Sequence, residues 1–471
     1  MNPSVDYGIL SLFPALIALI LAFITREPVF SLLIGCLIGI LITGQNLIIG
    51  FSGLVQKALG NADFIWVLMI EVFVGIMTAF FQKSGAVEAF TRLFSKREIN
   101  ARKAQILAWL LGIFIFFSDY FSPLFVGTVM KGITDKARVS REKLSYICDS
   151  TSAPVCTIIP FSSWGVYIAG LLVGMGTFID KNIATKVVIG MVPFNFYGII
   201  AVVLVGLIAL GIVPEYGPMK AAERRAAETG KVIADNAKPL LGRELSDIKP
   251  KEGIRPNMLL NFLLPVLIII SITLGTYIIM GSAKTLEGFI AAVFFQFIVM
   301  YFQKMGTIVE LMETAVNGIK GVASAILILA LAYCINSISK DLGTAKYVIS
   351  VTQGWITPML LLVLTFLICA FISFFTGTSW GTYAIMIPIA VPLAFQLTGG
   401  TTTNLVLATV AAVVGGGCFG DHCSPLSDTT ILSSLAAGSD HIDHVKTQLP
   451  YAITAAVVSA ILYGITGVTL H

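Results

Sequence analysis

Four aspartates lie within, or just after, short polar interruptions of otherwise apolar sequence. Asp119 lies in SDYFSP (118–123), Asp149 in DSTSAP (149–154) and Asp421 in GDHCSP (420–425), and Asp428 follows the last of these. Pro, Gly, Ser and Thr favour unwound helix, whose free carbonyls and hydroxyls are the hard oxygen ligands that alkali ions prefer. A carboxylate in such a setting is costly unless it holds a proton or a cation. The pattern predicts sites where H⁺ and Na⁺ compete.

A further interruption, TGTSWG (376–381), carries hydroxyls but no acid. We predict the ligands of the coupling ion among the acidic and hydroxyl side chains of the interruptions: Asp119, Asp149, Ser150, Thr151, Ser152, Thr376, Thr378, Ser379, Asp421, Ser424, Ser427 and Asp428. The alternative for each aspartate is a helix N-cap, and for each Ser or Thr it is a hydrogen bond to nearby backbone.

Four accessory residues have two interpretations each. Glu71, inside an apolar segment, is either a packing residue or a proton relay. His422 is either a proton carrier or a hydrogen-bond partner that fixes the interruption. Trp164 and Trp380 flank interruptions and either line a substrate pocket or pack against neighbours. The sequence alone leaves these alternatives open.

Composition predicts a membrane protein. Of 471 residues, 56% are hydrophobic and only 12% are charged, and the mean hydropathy is +0.91. These values argue against a soluble enzyme and against a disordered chain. The net charge of +4 is too small to indicate a nucleic-acid-binding protein. The seven cysteines lie in apolar sequence without a CxxC pair, and we expect buried side chains with no disulfide framework or zinc site. We expect no cofactor. The apolar N-terminal segment is predicted to be a first membrane span and not a cleaved signal peptide.

Apolar segments predict an all-α polytopic fold. Eight segments are candidate spans: 8–24, 28–43, 62–82, 186–212, 257–281, 287–302, 321–340 and 448–468. Four other apolar regions are interrupted: 104–136, 144–178, 355–395 and 402–438. The arms of 104–136 and 355–395, at about 14 residues, are too short to cross, so both regions are predicted to be re-entrant hairpins. The other two are predicted to cross with a broken middle.

The chain divides into two similar halves, 1–212 and 257–471, joined by a polar connecting loop at 213–256. The segment APVCTIIPFSSW (153–164) is similar to SPLSDTTILSSL (424–435), and the interruptions within the hairpins also match in order. Five crossings and one hairpin per half place 24 of the 30 Lys and Arg residues inside, with both termini outside. We therefore predict an inverted repeat of the kind that secondary transporters use.

The motifs GDHCSPLSDTTILSS (420–434) and DHVKTQLPYA (443–452) resemble the signature of the NhaC family of Na⁺/H⁺ antiporters. FFSDYFSPLFVGT (116–128) and SREKLSYICDSTSAP (140–154) are similar to that family's first-half motifs. In one departure, the first interruption reads Ser118-Asp119-Tyr120, whereas the family's equivalent is often doubly acidic. One carboxylate fewer puts the ion stoichiometry and the substrate in doubt.

The resemblance implies scaffold helices (8–82 and 257–340) and a mobile transport unit (104–212 and 355–468), working by elevator-like alternating access, commonly as a homodimer. It implies coupling to Na⁺ or H⁺, with Asp149, Ser150, Thr151 and Ser152 in one ion-binding region and Asp421, Ser424, Ser427 and Asp428 in the other.

Three functions are compatible with the sequence. The leading prediction is Na⁺/H⁺ antiport across a prokaryotic plasma membrane, and the main alternative is a Na⁺- or H⁺-coupled carrier of a small organic solute, either a carboxylate or an amino acid. A passive channel is disfavoured by the predicted broken-helix repeat. No Walker GK[ST], HExxH or GxSxG motif supports an ATP-driven pump or a hydrolase. His441 and His444 fall in a predicted inside loop, and we expect them to be solvated.

Overall fold

A computed structural model gives the fold of the chain. It describes residues 7–25, 27–86, 89, 99–116, 119–160, 162–178, 181–240, 248–251, 256–280, 284–344, 347, 350 and 360–470. In these ranges the regular structure is helical, and β-pairing is limited to two isolated bridges. The predicted all-α fold is confirmed.

The helices of the described residues are numbered in chain order. The first half contains α1 Phe13–Thr25, α2 Pro28–Ile42, α3 Leu47–Leu59, α4 Ala62–Lys83, α5 Ala101–Phe114, α6 Phe121–Lys136, α7 Arg141–Ser150, α8 Ala153–Ile158, α9 Ser163–Leu172, α10 Lys181–Met191 and α11 Phe196–Ala209. The connecting segment contains α12 Gly217–Thr229. The second half contains α13 Leu264–Met280, α14 Thr285–Phe302, α15 Ile308–Gly321, α16 Ala323–Asp341, α17 Leu361–Thr376, α18 Ser379–Leu397, α19 Asn404–Cys423, α20 Asp428–Ala437 and α21 His441–Thr469.

Six of the described helices are long and apolar enough to cross a membrane, and up to nine spans result if each of three bent helix pairs counts as one. The six are α4, α13 with its preceding π-turn, α14, α18, α19 and α21. The bent pairs are α2–α3 at 113°, α10–α11 at 51° and α15–α16 at 44°. The chain is therefore a multi-pass membrane protein by length and composition.

Two of the predicted segments differ from the expectation. The segment 186–212 remains a candidate span, but it contains two helices, because the chain bends by 51° where α11 begins. Pro193 and the side chain of Asn195, which caps α11 by accepting from Gly198 N, account for the bend. The second arm of hairpin 355–395 is also longer than expected, since α18 has 19 residues, enough to cross.

The predicted interruptions are real but shorter than expected. Thr151 and Ser152 separate α7 from α8, as predicted. Only Gly377 and Thr378 separate α17 from α18, and Gly377 has a φ of +69°, which favours glycine. Helix α19 continues through Cys423, so the break begins at residue 424 instead of 420. Helix α6 already begins at Phe121. Ser118 and residues 355–359 lie outside the described residues.

The glycine-rich end of α19 allows close helix packing. A Cβ on Gly416 would lie 2.3 Å from the Phe366 carbonyl oxygen, and one on Gly420 would lie 2.4 Å from the Phe374 nitrogen. Both neighbours are backbone atoms of α17, and moving them would cost packing energy. The glycines therefore allow α17 and α19 to pack closely, and this packing places Asp421 beside the tip of the second hairpin.

Helix contacts in the two halves follow the same scheme. Helix α1 packs on α2 as α13 packs on α14. Helix α4 contacts α14 and α15, whereas α16 contacts α2 and α3. Exchanging α1–α4 with α13–α16 therefore reproduces these pairings, although α1 additionally contacts α16.

The connecting segment packs against the beginning of α7. Arg225 of α12 donates from one guanidinium nitrogen to both carboxylate oxygens of Glu142, each at 2.9 Å. Glu223 accepts the Ser140 backbone N–H at 2.8 Å, and burial raises the pKa of this Glu223 carboxyl. These contacts fix α12 on the helix that ends just after Asp149.

Candidate functional site

Asp428 joins the two interrupted regions. It is the first residue of α20 and is half-buried. Its Oδ2 accepts a 2.8 Å hydrogen bond from the hydroxyl of Tyr120, which precedes α6. The interruption in the first half thus contacts the interruption in the second, although the two residues are 308 positions apart.

The charge of Asp428 acts on four buried carboxyl groups. They come from α4, from the first-half interruption, from the end of α7 and from the end of α19: Glu71, Asp119, Asp149 and Asp421. Like charges repel one another strongly in a low dielectric, so the cluster favours binding of protons or a cation. The sequence predicted these residues as candidates but did not identify Asp428 as the common neighbour.

Asp421 is held at the tip of the second hairpin. Its Oδ2 accepts from the Ser379 hydroxyl at 3.0 Å, and its Oδ1 accepts from the Ser427 hydroxyl at 2.6 Å. The Thr430 hydroxyl donates to the Asp421 carbonyl at 3.2 Å. Two hydroxyls therefore contact the Asp421 carboxylate and a third contacts its backbone carbonyl, so the residue is surrounded by hard oxygen atoms.

Asp149 contacts the last helix. Gln448 Nε2 donates to its Oδ2 at 2.8 Å, and His444 Nε2 lies 3.7 Å from the same oxygen. The other oxygen, Oδ1, is buried without a hydrogen-bond partner among the described residues. Sequence reasoning missed Gln448 and His444 as site residues, although both lie in the motif DHVKTQLPYA.

His422 connects three helices. Its Nε2 lies 2.9 Å from the Ser150 hydroxyl and its Nδ1 lies 2.7 Å from the Tyr197 hydroxyl. Its carbonyl accepts a hydrogen bond from Gln448. Both ring nitrogens are thus engaged in contacts that hold α7 and α11 against α19.

The remaining predicted hydroxyls mostly satisfy nearby backbone. Thr151, Ser152 and Thr376 donate to carbonyls three or four residues earlier, at 2.8, 2.9 and 2.8 Å. Ser424 donates across to the Phe374 carbonyl at 2.7 Å. Each oxygen still has lone pairs for a cation. The Thr378 carbonyl accepts a hydrogen bond from the Thr382 hydroxyl at 2.9 Å.

Glu71 and Asp119 retain unused oxygens. Both carboxylate oxygens of Glu71 and Oδ2 of Asp119 are buried with no hydrogen-bond partner among the described residues. The Trp164 indole interacts with Asp119 but without good hydrogen-bond geometry. Trp164 also packs edge-on against Trp380, with ring centroids 5.5 Å apart. The structure places the two tryptophans in one aromatic cluster beside the carboxylates.

The expectation that His441 and His444 are solvated is wrong, because both side chains are buried. Ser434 Oγ lies 3.0 Å from His441 Nδ1 and 2.8 Å from His444 Nδ1. His441 Nε2 contacts the Pro425 carbonyl at 2.9 Å. The two histidines thus fasten the start of α21 to α20 and to the second interruption.

The site offers oxygen ligands. Across the described residues, no three His, Cys, Asp or Glu side chains are arranged to hold a metal ion. A cation at this site would therefore need hydroxyl and carbonyl oxygens besides one or two carboxylates, which suits Na⁺ better than a transition metal.

Apolar helices of membrane-spanning length, interrupted at buried carboxylates, define a multi-pass membrane transporter. Comparison with known proteins identifies the family of transporters to which the chain belongs. The model of the Na⁺/H⁺ antiporter family matches residues 155–468, which is most of the chain. The chain belongs to the Na⁺/H⁺ antiporter family.

Three relatives illustrate the range of this similarity. An uncharacterized protein of Haemophilus influenzae is 34% identical over 493 residues, covering 98% of this chain and 91% of that protein. The malate-2H⁺/Na⁺-lactate antiporter of Bacillus subtilis is 33% identical over 159 residues, 34% of this chain and 33% of the relative. The Na⁺/H⁺ antiporter NhaC of Alkalihalophilus pseudofirmus is 32% identical over 160 residues, 34% of this chain and 33% of the relative.

Proposed function

We propose that the protein exchanges Na⁺ for H⁺ at the carboxylates around Asp428. The observation that carries the proposal is the convergence of four buried carboxyl groups on the charge of one half-buried aspartate. Such a cluster cannot hold all of its negative charges without cations or protons. Membership of the Na⁺/H⁺ antiporter family supports the choice of ions.

The ion-binding role is divided between two regions in this proposal. Asp421, with the hydroxyls of Ser379 and Ser427, supplies oxygen ligands for Na⁺ at the second interruption. Asp149, with one unpartnered oxygen, takes part from the first interruption. Rotation of the hydroxyl protons away from Asp421 would turn the serine lone pairs towards the cation.

We further propose that the halves form an inverted repeat that moves by elevator-like alternating access. The exchange of contact partners between α1–α4 and α13–α16 supports an internal two-fold relation. A homodimer in a plasma membrane with both termini outside completes this proposal, and positive charge at the predicted inside loops supports the orientation.

The test is exchange in proteoliposomes that carry a pH-sensitive dye and an imposed pH gradient. Addition of Na⁺ should dissipate the gradient in the wild-type protein. Asp428→Asn should reduce this flux to near background because it removes the charge common to the cluster, and Asp149→Asn and Asp421→Asn should impair it as well. The matched control is Asp235→Asn, since Asp235 is exposed and pairs only with Lys231 among the described residues.

Two outcomes would contradict the proposal. If Asp428→Asn exchanges like the wild type, the central role of Asp428 is wrong. If Asp149→Asn and Asp421→Asn both exchange like the wild type, the carboxylates do not carry the ions. Monodisperse elution and equal reconstitution of each variant exclude misfolding as the cause of a loss.

A second candidate is exchange of a small organic solute coupled to Na⁺ or H⁺. The name of the Bacillus subtilis relative, an antiporter of malate and lactate, favours it over about a third of the chain. It predicts that a metabolite, not Na⁺ alone, drives proton flux in the same liposomes.

A further inference from the structure

A cavity of about 520 Å³ lies between α16 and the tip of the second hairpin, formed by α17 and α18. Small-molecule sites typically occupy roughly 300–1,000 Å³, so its size suits a small organic molecule. The cavity is lined by Thr378 of the hairpin tip, and Asp421 contacts the tip at the next residue, Ser379.

Two polar groups in the cavity lack partners. Ser339 lines it and is only 1% exposed, yet its hydroxyl has no hydrogen-bond partner among the described residues. Oδ1 of Asn336, one turn earlier on α16, is likewise buried and unpartnered. Buried polar atoms are normally satisfied, so these two are positioned to bind a polar group of a ligand.

The lining carries positive charge. Lys340, on the last turn of α16, lines the cavity and makes no ion pair with any described residue. Its Cε would lie 3.9 Å from a Cβ on Gly381, which places Lys340 beside the first turn of α18. The side chain of Thr378, the N-cap residue of α18, makes no capping hydrogen bond, and the helix dipole there also favours an anion. Among the residues that the structure describes, none that lines the cavity is acidic.

Part of the lining is apolar. Ile372, Ile385 and Ile389 belong to it and give room for a short hydrocarbon group. We propose that this cavity binds a small organic monocarboxylate, with its carboxylate on Lys340 and the N-terminus of α18 and its hydrocarbon part against the isoleucines. This inference deepens the second candidate function, and its role in transport rests on that candidate, whereas binding itself does not.

The hairpin tip connects the cavity to the carboxylates. Thr378 lines the cavity, and the next residue, Ser379, donates to Asp421. An anion at the N-terminus of α18 and a cation at Asp421 would therefore be bound next to two adjacent residues of the hairpin tip. Each would reduce the electrostatic cost of binding the other.

Binding is tested with the full-length protein in lipid nanodiscs, with no ion gradient. The probes are butyrate and 2-hydroxybutyrate, the neutral control is butyramide, and the dicarboxylate is succinate. Trp380 adjoins the cavity residues Thr378 and Gly381, so its fluorescence reports binding. We expect saturable binding of both monocarboxylates, at least about tenfold weaker binding of butyramide, and stronger binding at high Na⁺ concentration.

Two variants and one control locate the ligand. Lys340→Gln should weaken butyrate binding by about 10- to 100-fold, the factor for losing a charge-assisted hydrogen bond. Ser339→Ala should weaken 2-hydroxybutyrate binding by about 2- to 10-fold, and it should leave the thermal midpoint of the unliganded protein no lower, because the hydroxyl has no partner to lose. The control is Lys320→Gln, since Lys320 is an exposed lysine on the last turn of α15, outside the cavity lining.

Several results would overturn the inference. The inference is wrong if neither monocarboxylate binds saturably, or if butyramide binds as tightly as butyrate. It is also wrong if succinate binds more tightly than butyrate, or if Lys340→Gln and Lys320→Gln have equal effects. The inference survives a failure of Na⁺-driven exchange in liposomes, because that result would contradict the proposed ion exchange and leave binding unchanged. Conversely, ion exchange without monocarboxylate binding would remove this inference alone.

Discussion

The ion pair between Lys143 of α7 and Glu215 of the connecting segment allows a direct test of how this segment is attached to the helices. Lys143 Nζ lies 2.6 Å from Glu215 Oε1; the lysine side chain is 0% exposed, whereas that of Glu215 is 22% exposed. Tyr451 donates to the other Glu215 oxygen at 2.5 Å. The ammonium also lies 5.3 Å from the ring centroid of Tyr146. The Lys143 ammonium is therefore desolvated, and the attraction to Glu215 offsets the free-energy cost of that desolvation.

The magnitude follows from this asymmetry. At 2.6 Å and an effective dielectric constant of about 20, the attraction is roughly 6 kcal/mol, and desolvation of the ions opposes it by several kcal/mol each. The pair as a whole is thus close to neutral, but Glu215→Gln leaves a buried ammonium unpaired and should destabilise the protein by about 3–5 kcal/mol. Lys143→Met should cost less, because the carboxylate it leaves behind still reaches water and Tyr451.

The assay is reversible unfolding in mixed detergent micelles, followed by tryptophan fluorescence. The double variant Lys143→Met/Glu215→Gln should recover most of the free energy of unfolding that Glu215→Gln loses, since neither charge remains. Asp235→Asn, which breaks an exposed pair with Lys231, should leave the free energy of unfolding nearly unchanged. The reasoning is refuted if Glu215→Gln costs less than about 1 kcal/mol, or if the double variant is as unstable as Glu215→Gln.

Two further predictions concern other parts of the molecule. Gly420→Ala should lower the free energy of unfolding by about 1–3 kcal/mol and impair Na⁺-driven exchange, because its Cβ would press on α17 and displace Asp421; Gly53→Ala, where the new Cβ meets nothing within 4 Å, is the control. Burial raises the pKa of Glu223, so the folded state binds more protons there, and the free energy of unfolding should decrease as the pH rises through the range between the unfolded and folded pKa values. Glu223→Gln should make this decrease smaller in the same unfolding assay, and an identical pH dependence would show that Glu223 does not cause it.

The polar interruptions were predictable because Pro, Gly, Ser and Thr change local backbone preference, and local preference is readable from sequence. The lengths of the interruptions could not be predicted in the same way. Helix α19 continues past Gly420 because contact with α17 favours the helical backbone there, a tertiary effect. The glycines that suggested unwinding are the ones that allow this contact.

The partners of the carboxylates were hidden for a different reason. Gln448 and Asp149 are 299 positions apart, and no local pattern indicates that they meet. His441 and His444 were expected to be solvated because they fall in a predicted inside loop, yet both contact Ser434 of α20. Lys143 is one of the 24 basic residues that the orientation argument places inside, yet its side chain is fully buried and pairs with Glu215. Composition and charge predict the class of fold, whereas burial of single polar residues depends on long-range packing.

In the proposed exchange, coupling depends on the position of Asp428 more than on the identity of any single ligand. Asp428 is half-buried and lies at the N-terminus of α20, so water reaches it and the helix dipole stabilises its negative charge. The four carboxyl groups that feel its charge are buried. A cation bound at Asp421 offsets negative charge in this cluster and so lowers the repulsion between Asp428 and the other three carboxyl groups, which favours release of a proton from among them. By linkage, a proton bound at any of these three must weaken cation binding at Asp421 by the same factor. Antiport then follows from charge balance, without a dedicated contact between the two ions.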